Sequence, residues 1–137
     1  MNRIMEEEFV RSFIDERRRD ALLLELCSEQ TRRRAVERFA RDAGELLDCR
    51  QTLCSDRELT AERVAELLGG AFDPADPCYL MFSDWSDGVT LGFKEALAAC
   101  LDSCGPAAVL FGSSAALIKE AGDGQSSVKH LLRRREY

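Results

Sequence analysis

Cys78-Tyr79-Leu80-Met81-Phe82-Ser83 opens the stretch, running on to Arg133, whose patterning requires a sheet. The run is apolar, rich in aromatic residues, of strand length and bounded by turn formers, so it reads as a buried strand. Asp84-Trp85-Ser86-Asp87-Gly88 follows, and its Asp-Gly pair can take the positive backbone angles that turn a chain back on itself. Val89 to Leu91 then forms a short return strand. From Phe93 the spacing changes: Phe93, Leu97, Cys100, Leu101 and Cys104 share one helical face. Gly105 and Pro106 end that helix. Ala107 to Phe111 and Ala115 to Ala121 are two further strand candidates, and Gly122-Asp123-Gly124 makes a hairpin turn. In Ser126 to Arg133, Val128, His130 and Leu132 face one way and Lys129, Leu131 and Arg133 the other, the two-residue alternation of a strand.

The order is strand, strand, helix, strand, strand, strand, and the tight connections favour antiparallel pairing. The reading is therefore an α+β fold, with amino-terminal helices covering one face of a mainly antiparallel sheet, the one left uncovered, and the Phe93 to Cys104 helix packed against the same sheet. At 137 residues the chain is expected to be one domain, a helical half over 1–72 and a sheet half over 78–133. Folding at this size removes roughly two thirds of the unfolded chain's surface from water, so the core needs no covalent staples. Phe39, Leu67, Leu80, Phe82, Leu97, Val109 and Phe111 are the expected core, because each lies on the apolar face of its element.

Upstream of the sheet, Phe9, Val10, Phe13 and Ile14 form the stripe of a first helix, with Glu6 to Glu8 at the positive end of its dipole. A second helix, Glu16 to Cys27, is so dense in leucine (Leu22, Leu23, Leu24, Leu26) that most of its circumference should be covered. Ser28 caps a third, in which Val36, Phe39, Ala43, Leu46 and Leu47 face inward while Arg32, Arg33, Arg34 and Arg38 lie on or beside the wet side. Cys49 to Leu59 is polar and without a period, a connector. Thr60 begins a fourth helix with Val64, Leu67 and Leu68 inward, and Gly69-Gly70 ends it. The prolines at 74 and 77 mark the passage into the sheet half.

The net charge of −6 is unevenly distributed. Residues 42–90 hold three arginines against eleven acids, a local charge of −8, which argues against a nucleic-acid surface there and suits a basic protein partner. The start, Met1 to Val10, has acids where a signal peptide has its apolar segment, and no apolar run has membrane-spanning length. The expectation is a cytoplasmic protein whose six cysteines are thiols.

The pattern Phe13-Ile14, Arg17, Leu24-Glu25-Leu26, Ser28 and Arg33, then Tyr79-Leu80, Asp87-Gly88, Glu95-Ala96-Leu97 and His130-Leu131-Leu132 resembles a family of small bacterial proteins of unknown function. That resemblance implies a bacterial, intracellular, single-domain protein and no particular chemistry.

No catalytic residue, metal ligand or cofactor is assigned from the sequence. Cys49 and Cys54, or Cys100 and Cys104, lack the surroundings of zinc knuckles, and the second pair continues an apolar helix face. A cysteine nucleophile needs a base, and the single histidine, His130, meets Cys78 only if the first and last strands pair. Asp84, Trp85 and Asp87 are the candidate binding residues, in an exposed loop where carboxylates are otherwise turn formers. The arginine triplets at 17–19, 32–34 and 133–135 invite a phosphate-binding reading, but interleaved acids make a solvated face of the first two. The expected function is a non-enzymatic protein-interaction module, an immunity or antidote protein being one concrete form. The competing class is phosphate or nucleic-acid binding through the arginines, or a small enzyme using the Asp84 to Asp87 loop.

Overall fold

The computed structural model describes residues 3–41, 46–69, 77–82, 87–102, 107–112, 114–120 and 127–134, with the side chains of Phe39, Ala40, Cys49 and Phe82 excepted. Its helices are α1 (Arg3–Phe13), α2 (Arg19–Cys27), α3 (Glu29–Arg41), α4 (Ala61–Leu68) and α5 (Phe93–Asp102). Its strands are β1 (Thr52–Asp56), β2 (Cys78–Phe82), β3 (Thr90–Leu91), β4 (Ala107–Phe111), β5 (Ala115–Lys119) and β6 (Lys129–Arg133). They form one sheet in the order β1-β6-β5-β4-β2-β3, with every pairing antiparallel. The fold is α+β.

Register shows how the sheet separates two cores. Tyr79, Leu110, Ala116 and Leu132 are successive cross-strand partners and join the apolar residues of α1, α2 and α3. One residue along, Leu80, Val109, Leu117 and Leu131 are partners and join those of α4 and α5. Helices therefore cover both faces, α1 to α3 on one and α4 with α5 on the other. β4 and β5 are buried along their whole length, which is why they read as continuous apolar runs rather than as alternating ones. Leu80, Leu97, Val109 and Phe111 share the second core, with Leu67 half-buried against it. The expected core residues Phe39 and Phe82 have side chains outside the described set.

Several local expectations hold. Gly88 has a φ of 82° and its N–H donates to the Leu80 carbonyl, closing the β2–β3 hairpin. The Thr60 hydroxyl accepts the Arg63 N–H at 3.2 Å and so caps α4. Others are corrected. The supposed connector from Cys49 to Leu59 contains β1, paired to β6 with a register shift between Thr52 and Cys54. As an edge strand with Ser55 and Asp56 exposed, it needs no apolar period, and its bulge and charge discourage further pairing. The second helix begins with a 3-10 turn, Glu16–Arg18. Only Leu22 and Leu26 of α2 are buried, while Leu24 is 75% exposed.

Candidate functional site

The loop proposed from sequence turns inward at the one member that the structure describes; Asp84 and Trp85 lie outside the described residues. Asp87 accepts two hydrogen bonds from Arg32, from Nε at 2.6 Å and from Nη2 at 3.0 Å. The same guanidinium donates to Glu6 from Nη1 at 2.6 Å and from Nη2 at 2.8 Å, and to the Leu26 carbonyl from Nη1 at 3.2 Å. All of its N–H groups are used. The Tyr79 hydroxyl donates to Glu6 as well. Burial alone would pull the Arg32 pKa down, but the hydrogen bonds to Asp87 and Glu6, with their charges, outweigh it and hold the pKa above its ordinary value.

This cluster overturns two sequence expectations. Arg32, placed on or beside the wet side of α3, is buried; Glu6, placed at the dipole of α1, is its buried partner. The cluster ties α1, α3, β2 and the β2–β3 turn together, which is a fixing role, not a catalytic one. Its members are 26, 55 and 73 positions apart, so no helical or strand spacing announces it.

Of the cysteines weighed above, Cys104 and the side chain of Cys49 lie outside the described residues. Cys27, Cys54, Cys78 and Cys100 are free thiols. Burial pushes Cys100 up to about 12, against a smaller lowering by the charges of Lys119 and Lys129. It is therefore a packing residue, not a nucleophile. No group of three or more metal-ligating side chains occurs among the described residues. The Cys78–His130 pairing is excluded by topology, since β4 and β5 lie between β2 and β6.

His130 instead faces its partner across β1 and β6, Ser55. The Ser55 Oγ lies 2.8 Å from Nδ1, and Glu120 Oε1 lies 3.2 Å from Nε2. The second contact is not a hydrogen bond, and Nε2 has no hydrogen-bond partner among the described residues.

A cleft of about 650 Å³ opens between the start of α4 and the end of α5. Leu59, Ala61 and Leu101 supply its apolar wall, and Glu58 and Asp102 its carboxylates. Lys129, also lining it, donates from Nζ to the carbonyls of Arg57 and Ser127 at 2.7 and 3.1 Å. Arg57 lines the cleft as well; over 56–66 and 94–102, Asp56, Glu58, Glu62, Glu66, Glu95 and Asp102 are exposed, with Arg57, Arg63 and Lys94. The acidic middle of the sequence thus becomes, in part, a surface. A smaller cleft of about 390 Å³ on α2 and α3 is lined by Arg34, Arg38 and Arg41 together with Glu25 and Glu37. Arg38 is paired there with Glu25 at 2.6 Å.

No helix among the described residues is long and apolar enough to cross a membrane. Comparison with protein-family models, with curated proteins and with solved structures finds no match.

Proposed function

We propose that the protein is an intracellular protein-interaction module whose cleft between α4 and α5 binds a basic partner without transforming it. The observation that carries this reading is the pairing of an open, partly apolar cleft with the Glu58 and Asp102 carboxylates, beside Arg57 and a Lys129 whose ammonium is held by two carbonyls. Leu59 and Leu101 suit the aliphatic stem of a lysine or arginine, and the two carboxylates suit its head. An immunity or antidote protein that masks a basic toxin is one form of this role. Four free thiols support a reducing, cytoplasmic setting.

The phosphate-binding alternative has less support, because Arg32 directs its donors inward and Arg33 faces Glu37 at 3.5 Å. An enzyme built on the Asp84 to Asp87 loop loses the Asp87 carboxylate to Arg32 in the same way.

The test is capture from native cytosol with the full chain, followed by identification of the bound protein and its titration against purified variants. A basic partner should bind, weaken with salt, and weaken at least tenfold with Glu58→Lys plus Asp102→Lys but not with Glu29→Lys on the opposite layer. Binding indifferent to the first pair, or a partner of acidic character, would overturn the assignment of this cleft.

A further inference from the structure

We propose that Ser55, His130 and Glu120 form a nucleophile, base and carboxylate set able to accept an acyl group from a small, unhindered ester, an activity separate from binding at the cleft. Ser55 is exposed on edge strand β1, and its hydroxyl lies 2.8 Å from Nδ1 of His130. The ring is held: it belongs to β6, its side chain is 12% exposed, and Glu120 lies 3.2 Å from the far nitrogen, Nε2. In the tautomer that carries its proton on Nε2, the imidazole offers the Nδ1 lone pair to the serine hydroxyl. Glu120 does not make a directed hydrogen bond. It acts on the charge that develops on the ring, the role a carboxylate needs for an imidazolium to form. The use of Nδ1 as the base is the reverse of the usual arrangement, and it follows from the cross-strand register that sets Ser55 opposite His130. No strand pairs on the outer side of β1 among the described residues.

The step balances without an oxidant or a metal. The Ser55 hydroxyl proton passes to Nδ1 as Oγ bonds to the acyl carbon and the carbonyl electron pair moves onto oxygen. That pair returns as the carbon–alkoxy bond breaks, and Nδ1 gives its proton to the departing alkoxide, leaving an acyl serine and an alcohol. Water then attacks the acyl carbon as the same nitrogen takes its proton, and the serine–acyl bond breaks as Nδ1 returns that proton to Oγ, releasing the acid and restoring the hydroxyl.

The full chain incubated with p-nitrophenyl acetate, and separately with a fluorophosphonate, should acquire one adduct, mapped by peptide mass spectrometry to Ser55. Ser55→Ala, a change at an exposed position, should abolish it, and His130→Ala should slow it on the order of 100-fold, with part of the rate restored by added imidazole. Glu120→Gln should lower the maximal rate while leaving the half-saturating ester concentration and the melting temperature unchanged. Absence of the adduct, its presence on another residue, or a rate indifferent to His130 would overturn the proposal.

Discussion

Arg32 and Asp87, fifty-five positions apart, are joined by two hydrogen bonds of 2.6 and 3.0 Å, with the arginine side chain 6% and the aspartate side chain 19% exposed. The pair fixes the β2–β3 turn to helix α3, and through Glu6 to α1. Its value depends on completeness, since an arginine fork buried between two carboxylates leaves no donor unmet.

Removal of the guanidinium strands both carboxylates. Arg32→Met should destabilise the fold by about 3–5 kcal/mol, the range for breaking a buried ion pair from one side. Arg32→Lys should also lose stability, because an ammonium cannot reproduce the two-sided fork. Urea denaturation checks both, and an unchanged midpoint for Arg32→Met would refute the clamp.

Leu97 has 1% of its surface exposed and Leu24 has 75%. Leu97→Ala should therefore cost about 2–5 kcal/mol, and Leu24→Ala should stay within about 0.5 kcal/mol. Equal shifts in the two denaturation curves would contradict the placement of these helices.

Thiol reactivity should follow burial. Iodoacetamide should alkylate Cys27 in the native protein, whereas Cys78 and Cys100 should react only when the chain unfolds. Peptide mapping after a short pulse reads the order directly, and early modification of Cys100 would show that α5 does not seal it.

At acid pH, Asp48 is a group to follow. Hydrogen bonds from the Arg50 side chain hold its carboxyl below the usual value, outweighing an opposing effect of burial. A depressed folded-state pKa stabilises the fold above the unfolded value of about 3.9, and that contribution disappears as pH falls through the folded value. The stability gap between wild type and Asp48→Asn should thus be full near pH 6 and should close as the solution is acidified below about pH 4. A gap that widens on acidification would reverse the sign of the argument.

Much of the fold was legible because its signals are local. The alternation in β6, the Asp87-Gly88 turn, the Thr60 cap and the apolar face of α5 each depend on residues a few positions apart, whose geometry is set by helix and strand periods. β1 escaped notice because an edge strand needs no apolar period; its place is set by β6, some seventy residues later. The candidate sites were less legible still. Asp87 was found as a turn residue, but nothing near it in sequence foretells Arg32.

The sequence by itself determined the class of fold, the Asp87-Gly88 turn, the Thr60 cap, and the identity of most of the buried strands. Only the tertiary structure decided that α4 packs beside α5, that Glu6, Arg32, Tyr79 and Asp87 meet, and that His130 stands beside Ser55 and not Cys78. The physical reason is range. Periodicity tells each residue which side of its own element it occupies, whereas the partner on that side is chosen by strand order and register, which no short window of sequence contains.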